Sequence, residues 1–421
     1  MKKILIISEL YKKGGAGNAT FNIFDFLKKK FPEMEINLLI PHLKKREKNV
    51  YSYYGLFGFF YYFVYKSMNR AISLALTTNK FYFFNRFLNR SLFKAHLIKK
   101  ITDNKKYDYV VVLWFEYILN YQEILTIKKK FDAKIVLFPF DMFNFTGGCR
   151  YAQLCTNFKN ECKNCPALFD KFKGLAEKNY RLNKFFLEKI KPIVITPSLF
   201  ANKFINETKI LNKDSPKKMI NYPIQEHLTY NKNLYRKLER KTKNKKVIFL
   251  GAQDLREWRK GIHNFIKIMS KLESKYNSFF SKVIFISVGK NSHKIFKNYK
   301  KNTITYEKVN LNELYSIYKV SDLIIIPSLQ EWGSLMMSET FSLNKVIFAF
   351  DTGSSRDLIL NNINGYIFKK SENERMVNEI YSFLSKPNTF FKTNKKIYID
   401  ELKEKYDNKM IKKKYKKIFS D

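Results

Sequence analysis

Apolar residues along this chain fall into short unbroken runs, separated by longer stretches in which they recur every three or four positions. Unbroken runs bounded by turn residues mark strands buried on both faces, and the spaced stretches mark helices with one buried side. Lys3 to Ser8 is the first run; Gly14-Gly15-Ala16-Gly17 follows as a tight turn, then Phe21 to Lys30 with helical spacing. Ile36 to Ile40, Tyr109 to Leu113, Ile135 to Phe138 and Ile193 to Thr196 read as further strands. After a polar, Lys-rich stretch from Leu228 to Lys246 the pattern restarts, with strands at Val247 to Leu250, Val283 to Val288, Leu323 to Ile326 and Val346 to Ala349. Strands alternating with helices predict an α/β protein of two doubly wound, mostly parallel sheets covered on both faces. A length of 421 residues suits two such domains. The boundary is placed near residue 230, giving a first domain over 1–229 and a second over 230–396. The remaining segment, 397–421, reads as a helix returning to the first domain.

One stretch breaks the rhythm. Between the second and third strands, Tyr51 to Phe93 is crowded with aromatics among scattered Lys and Arg, and Tyr51 to Tyr65 (YSYYGLFGFFYYFVY) is almost wholly apolar. Two readings stand: an amphipathic surface dipping into lipid headgroups, or helices packed on the sheet. The run falls short of the ~18 apolar residues needed to cross a bilayer. At the amino terminus, Ile4 to Ser8 is too short for a signal-peptide core and is closed by Glu9. The chain is therefore expected in the reducing cytoplasm, peripheral on the inner face of the cell membrane.

Charge sharpens this picture. There are 79 Lys and Arg against 37 Asp and Glu, a formal net charge of +42. That balance favours an anionic partner, whether nucleic acid, a phospholipid surface or a nucleotide diphosphate. The abundance of Lys, Asn, Ile, Phe and Tyr is also what an AT-rich genome produces. No nucleic-acid module stands out and the basic residues are dispersed, so no nucleic-acid partner is expected.

Candidate chemistry sits where strands end. Gly14, Gly15 and Gly17 lie between a strand and a helix, where missing side chains let a ligand approach backbone N–H groups; a purely structural turn has the same look. Beyond Leu250 come Arg256, Arg259 and Lys260, past the carboxyl end of a parallel strand where such sheets bind ligands. Arg and Lys suit a diphosphate, one as a fork and the other as a point charge; a solvated basic loop is the plain alternative. In QEWGSLMMSE, Glu331 and Glu339 flank a helix start at which Gly333, Ser334 and Leu335 present N–H groups. Such carboxylates fit sugar and ribose hydroxyls, although two glutamates near a helix can simply be surface.

Taken together, these segments resemble the GT-B glycosyltransferases, specifically the large retaining glycosyltransferase family 4 (GT4), most closely over Val247 to Phe368. Glu331 and Glu339 match that family's E-x7-E motif, Gly353 and Asn364-Gly365 its flanking glycine positions, and Lys260-Gly261 the Lys-Gly that grips the donor diphosphate. Gly14 and Gly15 match its amino-terminal glycine loop. The resemblance implies two Rossmann-like domains facing across a cleft, Glu331 on the transferred sugar and Glu339 on the ribose. It also implies transfer with retention of anomeric configuration.

A narrower resemblance covers DMFNFTGGCRYAQLCTNFKNECKNCPAL, Asp141 to Leu168. It is similar to a cysteine-bearing segment of exopolysaccharide and colanic-acid-type transferases. Those carry His where this chain has Phe140 and His again where it has Arg150. In many relatives the first His lies near the transferred sugar, so Asp141 is the candidate to take over part of that role. All four cysteines fall here, Cys149, Cys155, Cys162 and Cys165, with spacing C-x5-C-x6-C-x2-C. A thiolate quartet in a reducing compartment suits a structural zinc ion; free buried thiols and disulfides are the alternatives.

Together these residues lead to one expectation. The chain transfers a sugar from a nucleotide-diphosphate sugar to a saccharide or lipid-linked acceptor, in bacterial surface-polysaccharide biosynthesis and beside an anionic membrane. Cationic side chains are expected to serve in place of a catalytic metal. A catalytically degenerate scaffold of the same fold, and a basic nucleic-acid-binding protein, are the competing expectations.

Overall fold

The computed structural model describes residues 1–43, 45–78, 80–85, 91–212, 214–224, 229–385 and 395–420. The chain divides into two compact units, Met1–Pro223 with Lys412–Asp421, and Ile224–Ile411.

Among the described residues the first unit holds seven strands: β1 (Lys3–Ile7), β2 (Glu35–Ile40), β3 (Val50–Ser52), β4 (Tyr109–Val112), β5 (Lys134–Leu137), β6 (Ile193–Thr196) and β7 (Lys217–Met219). All pair in parallel, in the order β3-β2-β1-β4-β5-β6-β7. The second unit repeats the plan with β8 (Lys246–Asp254), β9 (Val283–Lys290), β10 (Thr303–Tyr306), β11 (Leu323–Ile326), β12 (Val346–Phe350) and β13 (Gly365–Phe368), ordered β10-β9-β8-β11-β12-β13. Each sheet therefore reverses direction of growth once, between β1 and β4 and between β8 and β11. That reversal leaves a crevice outside the carboxyl ends of those strands, the habitual ligand position of doubly wound sheets.

Unbroken apolar runs form these strands because both faces are covered. In β8, Ile248 and Leu250 enter one core cluster while Val247 and Phe249 enter the cluster on the opposite face. In β12, Phe348 and Phe350 likewise face away from Ile347 and Ala349. A sheet covered on both faces favours apolar side chains at successive positions, which is why the runs are continuous. The four strands without a sequence signal, β3, β7, β10 and β13, are the edges of the two sheets. β3, β7 and β10 are short and half-exposed, so they carry no apolar run.

One helix departs from expectation. The glycines at 14–17 are not a turn before the first helix but its first turn, since helix α1 spans Gly14–Lys30. Gly14 has φ 67°, and the Lys12 N–H donates to the Gly17 carbonyl at 3.0 Å. The aromatic segment becomes β3 and then helix α2 (Leu56–Leu76); residues 79 and 86–90 of that segment lie outside the described residues.

The carboxy-terminal stretch forms the helices Lys395–Tyr406 and Asn408–Ser420. Asn408 bonds both backbone groups of Ile224 in the second unit, at 2.9 and 3.4 Å. From Lys412 onward the helix belongs to the first unit. There the buried Tyr415 lies 6.0 Å from Phe26, and the buried Phe419 sits against Phe31 and Tyr109. Lys2 Nζ donates to the Phe419 carbonyl at 2.6 Å.

Candidate functional site

In the second unit the crevice between β8 and β11 is lined by two loops that the sequence brings together through one glycine. Gly261 has φ +66°, and a Cβ there would stand 1.7 Å from the Pro327 carbonyl oxygen. No other residue fits. The close approach lets the Arg259 carbonyl accept the Leu329 N–H at 2.6 Å, fixing the loop after β8 against the loop after β11.

The result is an ion cluster around Glu331. Lys260 Nζ donates to Glu331 Oε1, and Arg259 Nη1 donates to Oε2 at 3.0 Å. The Ser328 hydroxyl donates to Oε1 at 2.9 Å, and the Glu331 N–H donates to Thr352 Oγ1 at 3.0 Å. Gly353, at φ +57°, lets the loop after β12 touch the Glu331 side chain, where a Cβ would lie 2.7 Å from that of Glu331. Glu257, absent from the sequence expectations, accepts from Arg259 Nε at 2.6 Å. Burial pushes the Glu331 carboxyl up, but Lys260, Arg259 and the Ser328 hydroxyl outweigh it, holding the group below its usual range. Burial together with the neighbouring Arg259 holds the Lys260 ammonium below the usual lysine range, against the pull of Glu331. The Glu331 carboxyl is thus ionised at neutral pH. Arg256 stands apart: it is exposed and pairs with Asp254 at 3.4 Å.

Ser334 caps the helix Leu335–Ser342, its hydroxyl accepting from the Met337 N–H at 3.2 Å. Its own N–H donates to Ser354 Oγ at 3.3 Å, so of Gly333, Ser334 and Leu335 this one already has a protein partner. Glu339 lies one turn into that helix and is buried. Tyr318 Oη donates to Glu339 Oε2 at 3.3 Å. Burial pushes Glu339 up to about 7, with the Tyr318 and Tyr315 hydroxyls holding it back in part. The two glutamates of the E-x7-E spacing therefore occupy opposite settings, one clamped as an anion and one balanced near neutrality.

The first unit has its own cluster, at the carboxyl ends of β1, β4 and β5. Glu9, just past β1, accepts from Tyr62 Oη and Lys66 Nζ, both at 2.7 Å, and from the Tyr117 N–H at 3.3 Å. Glu116, past β4, pairs with Arg150, whose guanidinium lies 4.7 Å above the Trp114 ring. Glu116 Oε1 is buried with no partner among the described residues. Asp141, past β5, accepts the Phe143 N–H at 2.9 Å and faces Arg150 Nε at 3.9 Å. Phe140 points elsewhere, packed at 6.0 Å from Phe138 and 5.5 Å from Tyr222. At the start of α1, a Cβ on Gly15 would meet nothing within 4 Å, so the protein's own packing does not require glycine there. Glu9 and Glu116 were not legible as site residues, since each is a single acid with no motif around it; only strand-end position and topology reveal them.

The second unit matches the family described as "Glycosyl transferases group 1" over residues 231–405. No curated protein matches the sequence. Among solved structures, the chain is similar to a sucrose-phosphate synthase from Thermosynechococcus elongatus, at TM-score 0.66 and 11% identity, covering 100% of this chain and 98% of that one. It is similar to Anabaena HepE in complex with UDP-glucose, at TM-score 0.64 and 14% identity, with 100% of both chains covered. A glycosyltransferase from Rickettsia africae aligns at TM-score 0.60 and 14% identity, covering 99% and 97%. The chain thus has the GT-B fold, and its second unit is similar to the group 1 glycosyl transferases along nearly all of its length.

Proposed function

We propose that this chain is a glycosyltransferase that moves a sugar from a nucleotide-diphosphate sugar to a saccharide or lipid-linked acceptor, with retention of anomeric configuration. The observation that carries the reading is the Arg259–Lys260–Glu331 cluster at the crevice of the second sheet, two cations facing one carboxylate. The HepE structure with UDP-glucose, on the same fold, makes a nucleotide-diphosphate sugar the fitting donor.

Transfer breaks the bond between the anomeric carbon and the diphosphate oxygen, and negative charge gathers on the departing diphosphate. Arg259 and Lys260 are fixed before the reaction and stabilise that charge electrostatically, so no catalytic metal is required by this reading. Glu331 keeps the pair ordered and presents its carboxylate to sugar hydroxyls. Glu339 accepts from the ribose diol; in the first unit, the backbone N–H groups beside Gly15 at the start of α1 suit a phosphate. Glu116 and Asp141, with Arg150 between them, are set to bind acceptor hydroxyls; Glu116 Oε1, without a partner among the described residues, is the atom with capacity to spare.

An anionic membrane surface is the setting we assign, and α2 supports it. The helix buries Tyr62, Tyr65 and Asn69. Its outward side shows Phe60 at 70% exposure, Phe63 at 59% and Leu74 at 60%, with Val64 and Met68 beside them. An apolar outer face flanked by Lys66 and Arg70 has the make-up of a helix lying in headgroups. Among the described residues, no helix is long and apolar enough to cross a membrane.

A thermal-shift panel of UDP-, GDP-, ADP- and CMP-sugars tests the donor reading. One nucleotide should raise the melting temperature of the parent chain, and raise it less in Glu339→Ala; no shift with any of them would refute it. A second reading rests on Phe140, which packs among aromatics where relatives carry a histidine. It makes the chain a non-catalytic scaffold, and donor binding without turnover across a broad acceptor panel would favour it.

A further inference from the structure

The four cysteines take no part in the reading above, yet the fold gathers them. Cys149, Cys155, Cys162 and Cys165 all line one cavity of about 20 Å³, room for a single water-sized particle. Its remaining wall is largely apolar, with Tyr82, Phe84, Ala152, Phe158 and Ala176. All four are free cysteines.

The backbone treats three of these sulfurs as acceptors. Gly147 N–H donates to Cys162 Sγ at 3.1 Å and Asn157 N–H to Cys155 Sγ at 3.4 Å. Cys165 receives the N–H groups of both Ala167 and Leu168, and the Cys149 thiol donates to it. The donor two residues on recurs at Cys155 and at Cys165, so each sulfur is wrapped by the turn that follows it. A neutral thiol is a weak acceptor, whereas a metal-bound thiolate carries charge for such donors to stabilise. The loop is also conformationally costly: Glu161, Cys162 and Asn164 have φ of 53°, 57° and 51°, left-handed values at three non-glycine residues. Gly147 is forced to be glycine, since a Cβ would stand 2.2 Å from the Ala176 carbonyl oxygen, and that closeness brings its N–H to Cys162.

We propose that Cys149, Cys155, Cys162 and Cys165 form a tetrathiolate site for a structural zinc ion. Among the described residues no three ligating side chains already surround one point, so binding draws the sulfurs inward over the cavity. Each thiol gives up its proton to solvent as its sulfur bonds the ion, and no electron is transferred. Four protein ligands close the coordination sphere, so the ion braces and does not catalyse. What it braces follows from the neighbours. Arg150 adjoins Cys149, and Thr78 N–H donates to the Ala167 carbonyl at 3.1 Å beside the bridge between Thr77 and Leu168. The ion therefore stiffens both the Arg150–Glu116 pair and the carboxyl end of α2.

The test is metal analysis of the full chain purified without chelator. We expect one zinc per chain. After chelation, cobalt(II) should give the visible bands of a tetrahedral thiolate site, which zinc then abolishes. Cys162→Ser and Cys165→Ser should each lose the metal. Because those variants could misfold, thiol labelling of the parent chain gives an independent reading: the four cysteines should be protected until chelator is added. Folded, metal-free protein with four reactive thiols and no cobalt bands would overturn the site. So would an intact mass showing disulfides in place of metal.

Discussion

Glu339 offers the sharpest test of the physical account, because its setting couples the fold to pH. Burial raises its carboxyl from 4.5 in the unfolded chain to about 7 in the folded one. The folded state then holds a proton that the unfolded state has released, so stability falls as pH rises through this window. Below about 4.5 the contribution is intact; above about 7 it is lost. At roughly 1.4 kcal/mol per pH unit, the interval between the two values comes to about 3 kcal/mol. Glu339→Gln stays neutral at every pH and still accepts from Tyr318. Its stability relative to the parent should therefore climb by up to about 3 kcal/mol between pH 4.5 and pH 8. Urea unfolding at stepped pH, followed by tryptophan fluorescence, measures this directly, since Trp258 and Trp332 both lie in the second unit. A difference between the two proteins that is flat across the window would refute the reasoning. A ribose diol that donates to the ionised carboxylate adds a companion effect, with nucleotide binding tightening as pH rises toward 7 and beyond.

Two glycines should separate packing from ligand access. Gly261→Ala, with its Cβ driven onto the Pro327 carbonyl, should cost more than about 2 kcal/mol in a urea melt. Gly15→Ala, which meets nothing, should leave the fold unchanged or stabilise it by up to about 1 kcal/mol while weakening nucleotide-sugar binding in calorimetry. Glu331→Gln leaves Lys260 and Arg259 facing each other, with Lys260 still 20% exposed, and should cost about 2–4 kcal/mol. Pyrophosphate should restore more stability to that variant than to the parent, and equal shifts in a thermal scan would tell against the anion site. Replacing Phe60, Phe63 and Met68 by Ser should abolish sedimentation with anionic vesicles at low salt while leaving the melting temperature unchanged.

The architecture was legible wherever burial on both faces leaves a continuous apolar run, as in Lys3 to Ser8 or Leu323 to Ile326. It was illegible at the sheet edges, because Val50–Ser52 and Thr303–Tyr306 are half-exposed throughout and need no such run. The site divides in the same way. Lys260, Glu331 and Glu339 could be singled out as candidates by their motif spacing, and the structure brings Lys260 and Glu331 together. Whether Arg256 or Arg259 would turn toward Glu331 was not readable, since that choice depends on Gly261 docking against Pro327. The Glu9–Lys66 pair is hidden for a similar reason: its partners are far apart in sequence and meet only through the order of strands. The aromatic run had two readings, and helix α2 takes part of each, with Tyr62 and Tyr65 packed inward and Phe60 and Phe63 turned out.

The first unit is discontinuous, closed by the far end of the helix Asn408–Ser420 packing on Phe26, Phe31 and Tyr109. On the ribosome this reverses the usual order of completion. The amino-terminal sheet emerges early but waits with an uncovered apolar surface until the entire second unit has been made. A premature stop near residue 411 would accordingly damage the half of the protein already synthesised and spare the half just finished. The aggregation risk of such a fragment lies at its beginning, not at its broken end.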